Sequence, residues 1–254
     1  MTGWPAVEQE LARWHEAGRE PVIWWRDDDA ADATPALDRL IALQQAHRVP
    51  LALAVVPAGA TSALAGRLSQ APEIDLLQHG YAHTNHAPVS DGKKEELGAH
   101  RPEMIVLGEL GTGWMALERL FGPRVLPVLV PPWNRIAPGL VPALPEIGYR
   151  GLSTFGIRRR VSPVSGLVQV NTHVDLIDWR TRRFAGIETV LAAFVQALAS
   201  SRISGEPIGL LSHHLAMDEA AWDFLQSFWG KVGGMPGMKI EPAHDLFAQW
   251  EARA

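Results

Sequence analysis

Seven short runs rich in valine, isoleucine and leucine, separated by amphipathic stretches, constrain this chain more than any other feature. They cover residues 22–26, 51–56, 74–78, 125–130, 150–154, 168–173 and 208–213, each bounded by proline, glycine or polar residues. Runs that are apolar on both faces read as strands of a parallel sheet with helices on either side. The intervening segments support this. Thr34 followed by Pro35 is an N-cap with proline at the first helical position, and Leu37, Leu40 and Ile41 follow at helical spacing. Residues 104–121 read as a longer helix stopped by Gly122 and Pro123. Residues 187–200 and 218–232 read as two more, and 7–17 and 243–252 as terminal helices. Strand–helix alternation of this kind makes an α/β fold, closed into a barrel or open and doubly wound.

In either form, reactive groups gather where the strands end. Asp27, Asp28 and Asp29 close the first strand, His79 follows the third, Pro131, Pro132 and Trp133 follow the fourth, and His213 and His214 end the last. His79 and His83 are four residues apart, so both imidazoles can meet one ion on a turn or tight loop. With one carboxylate they form the ligand set of a hydrolytic metal site that keeps a position open for water. Spacing alone is weak evidence, because ten histidines in 254 residues produce such pairs by chance. His86 is a less favoured third imidazole. Three adjacent aspartates repel one another, and a cation would relieve that repulsion.

Composition removes other classes. The formal charge of −5 argues against general nucleic-acid binding. Arg158, Arg159 and Arg160, with Arg180, Arg182 and Arg183, read as solvated loop residues or, less favourably, an anion-binding rim. Cysteine is absent, so there is no thiolate ligand or nucleophile. No apolar run reaches the ~20 residues a membrane span requires, and the first twenty residues lack a secretory pattern. The expectation is a cytoplasmic protein without nucleic-acid or membrane partners. Trp24 and Trp25 alternate in the first strand, one lining the barrel and the other packing outward.

Five motifs in order give the chain a family resemblance. They are Arg26-Asp27-Asp28-Asp29-Ala30, the His79 to His83 segment, Val130-Pro131-Pro132-Trp133, Asp175-Leu176-Ile177-Asp178-Trp179 and Leu211-Ser212-His213. The set resembles the polysaccharide deacetylase superfamily, of the NodB-homology or carbohydrate esterase family 4 type, and especially its cytoplasmic branch. The resemblance runs from residue 26 to 214. It implies one catalytic domain over residues 1–254, folded as a distorted (β/α)7 barrel. It also implies removal of an acyl group from an N- or O-acylated sugar or related small amide.

By the same resemblance Asp29, His79 and His83 bind a divalent ion, most simply Zn²⁺, and Asp28 is the base for the attacking water. Trp133 lends its backbone N–H to the oxyanion, Trp179 lines the substrate site, His213 protonates the leaving amine and Asp178 orients His213. The register one residue earlier, with Asp27 as base and Asp28 as ligand, stays open. Two departures stand out. Gly80 replaces the usual serine or threonine, and Val130 replaces an arginine that holds the catalytic aspartate, for which Arg26 or Arg135 could substitute. A catalytically silent metal-binding relative and a two-ion phosphoesterase are the competing readings.

Overall fold

Alternation of buried side chains on the first strand sets the architecture. The computed structural model describes residues 2–248, and β1 spans Val22–Ala30. Trp24 points to one face, packing with Ala52, Ala54, Leu77, Val128 and Val168. Ile23 and Trp25 point to the other, among Leu37, Leu40, Phe194, Phe228 and Trp229. The first set is the interior of a curled sheet and the second its helix-covered exterior, so the strand is apolar on both faces.

The remaining strands are β2 (Ala52–Val55), β3 (Asp75–His79), β4 (Val125–Val130), β5 (Gly151–Leu152), β6 (Val168–Gln169), β7 (Val174–Asp175), β8 (Ile177–Asp178), β9 (Arg183–Phe184), β10 (Ile208–Ser212) and β11 (Lys239–Ile240). The main sheet runs β6-β5-β4-β3-β2-β1-β10-β7, with β11 beside the start of β1. The pairings in that sheet are parallel. The helices are α1 (Trp4–Glu16), α2 (Pro35–His47), α3 (Ser62–Leu68), α4 (Glu103–Phe121), α5 (Ile187–Ser204), α6 (Glu219–Val232) and α7 (Ala243–Phe247). Thr34 caps α2 by accepting from the Leu37 N–H, and Asp218 caps α6 through Ala221. Gly122 ends α4. The expected C-terminal helix holds through Phe247 and is capped at Ala248; residues 249–252 lie outside the described residues.

The sequence places a strand at 168–173, and the structure shows one extended segment doing two jobs. Its first half pairs with β5, continuing through the Val170 and Thr172 N–H groups to Leu152 and Thr154. Its second half pairs with β10, through the His173 N–H to Gly209 O and then Val174 opposite Leu210. One segment thus bridges both edges of the curled sheet, giving the seven-stranded barrel expected. A Cβ at Gly209 would lie 2.6 Å from the Thr172 Cα and 2.6 Å from the Trp24 Nε1, so only glycine permits this closure. At the opposite end, Leu246 and Phe247 of α7 plug the interior, with Phe247 edge-on to Trp24. The other rim is left open, and the chemistry sits there.

Candidate active site

Three consecutive aspartates could not share a rim if β1 kept its pleat to the end. It does not. Pairing with β2 shifts between Asp27 and Ala30, and Asp29 has φ of +74°, a conformation uncommon outside glycine. The extra residue is a β-bulge, and it separates the three carboxylates.

Asp27, on the outer face, is fully buried. It accepts from His214 Nδ1 at 2.5 Å, from the His214 backbone N–H at 3.1 Å and from Ser212 Oγ at 2.5 Å, while Trp25 Nε1 donates to Ser212 Oγ. Asp28 faces inward. It receives Arg26 Nε and an Arg26 terminal nitrogen, both at 2.9 Å, in a two-pronged ion pair. Asn134 Oδ1 shares that terminal nitrogen and Ser153 Oγ takes the other, each at 2.6 Å. Arg135, the alternative arginine, instead donates to the Lys94 carbonyl in an exposed position.

Asp29 reaches the mouth of the barrel. Its Oδ1 lies 3.1 Å from His79 Nε2 and 3.2 Å from His83 Nε2. Burial works to raise its pKa, but hydrogen bonds from both histidines and the charge of His79 outweigh that and hold it well below the carboxylate range. Burial pulls His79 down, while the charges of Asp28 and Asp29 raise it overall. His79 Nδ1 donates to the Val130 carbonyl at 3.0 Å, which turns Nε2 toward Asp29. The three donor atoms lie within 4.8 Å of one another, so the group fits a divalent ion with carboxylate and imidazole ligands. His86 is outside this group.

The loop carrying the histidines owes its shape to a residue that sequence reading missed. Glu96, buried, accepts from the backbone N–H groups of Tyr81 at 3.0 Å, Ala82 at 2.8 Å and Thr84 at 3.3 Å. Gly80 has φ of +56°, and a Cβ there would lie 2.1 Å from Glu96 Oε2. The missing hydroxyl at residue 80 and the carboxylate at 96 are therefore two sides of one solution. Gly80 was the only sequence signal of it.

Across the rim, His213 has a carboxylate on each side of its ring. Nε2 is 4.0 Å from Asp28 Oδ2, and Nδ1 is 3.9 Å from Asp175 Oδ1. Trp179 stands edge-on to the ring at 4.6 Å and donates its indole N–H to Asp175 at 2.8 Å. Burial raises the Asp175 pKa, against the charge of His213. The sequence reading gave this neighbouring position to Asp178, and the structure gives it to Asp175. Asp175 lies on β7 opposite Leu211 of β10, two residues before His213. Asp178 has already turned away onto the small β8–β9 hairpin, where it pairs with Arg183 and accepts from the Arg180 N–H. Trp133, with φ of +54°, lays its ring 4.4 Å from that of His83. His214, which the strand alternation turns away from His213, faces the exterior network.

Solved structures share this arrangement of strands. A candidate polysaccharide deacetylase from Mycobacterium smegmatis superposes with a TM-score of 0.68 at 16% identity, covering 93% of this chain and 92% of its own. A family 4 acetyl xylan esterase from Clostridium thermocellum, in complex with a cobalt ion, gives 0.53 at 13% identity over 90% and 91%. A family 4 carbohydrate esterase from Streptomyces lividans, in complex with acetate, gives 0.54 at 15% over 87% and 91%. The fold is that of the polysaccharide deacetylases. No family model matches the sequence, and no curated protein does either. At such identities the polysaccharide-deacetylase fold is shared while most side chains are not, so what the site does has to be argued from its own residues. Among the described residues no helix is long and apolar enough to cross a membrane.

Proposed function

We propose that this protein is a metal-dependent deacylase that hydrolyses the acyl group of an N- or O-acylated sugar or a related small amide. The observation that carries the reading is the juxtaposition of two units on one rim. One is the Asp29, His79 and His83 group, and the other is the Asp28 and His213 pair beside it. A divalent ion held by the first unit, most simply Zn²⁺, would supply Lewis acidity to the acyl carbonyl and to the attacking water. Asp28, held by Arg26, accepts the proton of that water. His213, across the rim, donates a proton to the departing amine, which is a poor leaving group until protonated. Asp175 orients His213 through its Nδ1 side, the task the resemblance assigns to Asp178. The Trp133 backbone N–H is assigned to the oxyanion, and the Trp179 indole to the wall against which the substrate packs.

Two alternatives lose ground on specific contacts. A two-ion phosphoesterase needs a second carboxylate at the mouth, but Asp27 is committed to His214 and Ser212 on the outer face. A silent relative is favoured by the missing motif arginine, but Arg26 makes the ion pair from β1. The reading takes the whole chain as one catalytic domain working in the cytoplasm on a soluble substrate.

The test is metal analysis of protein purified without a histidine tag, followed by acetate release from a panel of acetylated sugars and small amides. About one equivalent of divalent metal is expected, lost in Asp29→Ala and His83→Ala, with turnover abolished by Asp28→Asn. Full metal occupancy in both ligand variants would overturn the site. Absence of turnover on every acyl substrate would leave the silent relative.

A further inference from the structure

We propose that Asp27, fully buried on the outer face of the barrel, is a positioning residue that sets where His213 stands on the inner one. The inference rests on the deacylase reading, in which His213 protonates the departing amine, and adds the group that holds this acid in place.

His213 needs such a support. Pairing of β10 with β1 ends at Ser212, opposite Asp27, and pairing with β7 ends one residue earlier, at Leu211 opposite Asp175. His213 is therefore the first residue beyond both ladders. The chain turns there at once, with the Ala216 N–H donating to the His213 carbonyl at 2.8 Å. The ring has no tighter hold of its own. Its Nδ1 is buried without a hydrogen bond among the described residues, and the Asp28 and Asp175 oxygens stand 4.0 and 3.9 Å from its two nitrogens. Charges at that range turn a ring one way or the other, but they lack the defined geometry of a hydrogen bond that would fix where it sits.

Asp27 supplies the hold from behind. Side chains alternate along a strand, so Ser212 and His214 face outward together while His213 between them faces in. The Asp27 carboxylate takes both neighbours. Its Oδ2 accepts from Ser212 Oγ at 2.5 Å and from the His214 backbone N–H at 3.1 Å, and its Oδ1 accepts from His214 Nδ1 at 2.5 Å. Hydrogen bonds to an ionised acceptor are roughly twice as strong as neutral ones. Trp25 Nε1 donates to the same Ser212 hydroxyl at 2.8 Å, and its ring packs against Trp229 with centroids 5.4 Å apart. Asp27, Ser212, His214 and Trp25 are all buried, so bulk water does not compete for these bonds. The carboxylate thus continues, across residues 212–214, the restraint that the ladder gives up at Ser212. Asp27 takes no proton from the substrate; its effect passes through the place of His213.

The experiment separates protonation of the leaving group from everything else. Asp27→Leu removes all three bonds with little change of shape. Asp27→Asn keeps an oxygen for the Ser212 hydroxyl and the His214 N–H, and Ser212→Ala removes a single bond. The zinc-loaded proteins are assayed on N-acetylglucosamine, whose amine must be protonated to leave, and on para-nitrophenyl acetate, whose nitrophenolate need not be. A displacement of about 1 Å costs on the order of a hundredfold, so kcat on the amide should fall about that much in Asp27→Leu, less in Ser212→Ala, and largely recover in Asp27→Asn. Hydrolysis of the nitrophenyl ester and metal affinity, measured by competition with a chelator, should stay near wild type. Proton–nitrogen correlation spectra of the imidazoles need no turnover. The His213 signals, assigned by their loss in His213→Gln, should broaden or split in Asp27→Leu and Ser212→Ala, while those of His79 and His83 keep their positions. Equal losses on amide and ester, a fall in metal affinity, or unchanged His213 signals would overturn the inference and leave the deacylase reading standing. If neither substrate nor any other acyl compound is turned over, the deacylase reading falls, and the spectra alone decide whether Asp27 holds His213. Should Asp27→Leu not fold, Ser212→Ala carries both comparisons.

Discussion

Replacing Arg26 tests which group does the work of the missing motif arginine. Its side chain is fully buried, as is the carboxylate it pairs with. Arg26→Met keeps most of the volume and removes the charge. Asp28 is then left as a buried carboxylate without its partner, and Asn134 Oδ1 and Ser153 Oγ each lose a donor. Breaking a buried pair from one side costs about 3–5 kcal/mol, because the surviving charge stays desolvated. For a chain of this size each kcal/mol moves Tm by roughly 2–4 °C, so the expected fall is on the order of 10 °C. Arg26→Lys keeps the charge but cannot make the two-pronged contact, so it should fall between. Arg135→Ala, on the exposed rim, should stay within about 0.5 kcal/mol of wild type. Denaturant unfolding of the metal-free protein gives these differences, and kcat for acetate release gives their catalytic counterpart. The double variant Arg26→Met with Asp28→Leu closes the cycle and should recover much of the stability, since no buried charge is stranded. If Arg26→Met unfolds within about 1 kcal/mol of wild type, or if Arg135→Ala is the more damaging change, Arg26 is not the group that holds Asp28.

Glu96→Gln keeps the shape but weakens the three hydrogen bonds to the histidine loop, and should lower metal affinity about tenfold without altering the ligands; competition with a chelator measures it. Asp175→Asn should lower kcat by one to two orders of magnitude on amides and much less on esters, whose leaving groups need less protonation, while Asp178→Asn stays near wild type. Equal effects of the two variants would remove Asp175 from the positioning of His213. His214 has its pKa raised: burial lowers it, but the charge and hydrogen bond of Asp27 more than offset this. A group raised in the folded state stabilises fully below its unfolded pKa of about 6.5, and that contribution disappears as pH rises through the folded value. The metal-free protein should therefore lose stability on the alkaline side more steeply than His214→Asn. The difference between the two cancels the contribution of His79, which has the same sign, and identical slopes would contradict the assignment.

The strands and the neighbouring His79 and His83 were legible because they depend on local pattern. The seven apolar runs, the Thr34 and Asp218 caps and the spacing of His79 and His83 are features of neighbouring residues, and each appears in the structure near its expected place. The joining of Asp29 to the histidines was legible through the order of motifs. What was not legible depends on which segments the fold brings side by side. Arg26 and Arg135 look equivalent along the chain, and only the pleat of β1 puts the first on the same face as Asp28. Asp175 and Asp178 are equally acidic, but the register of β7 against β10 sets the first near His213, while the β8–β9 turn carries the second away. Glu96 sits in a long polar stretch without periodicity, where nothing local marks it.

The acidic run itself shows how one extra residue changes the meaning of a sequence. In an unbroken strand Asp27 and Asp29 would share the outer face, and only Asp28 would look into the barrel. Asp29 would then be a buried carboxylate among the helices, competing with Asp27 for His214, and the histidine pair would have no acidic partner. The bulge costs something, since a non-glycine residue held at φ of +74° carries about 1–3 kcal/mol of strain. In return, three adjacent carboxylates acquire three separate partners: His214 on the outside, Arg26 in the barrel, and His79 with His83 at the mouth. Repulsion between them is answered by a cationic or protonatable group at each position, so neutralising one should leave the others in place. The ambiguity of register in the sequence thus has a physical origin. Both registers describe real carboxylates in real networks, and the turn at Asp29 decides which of them joins the histidines at the mouth of the barrel.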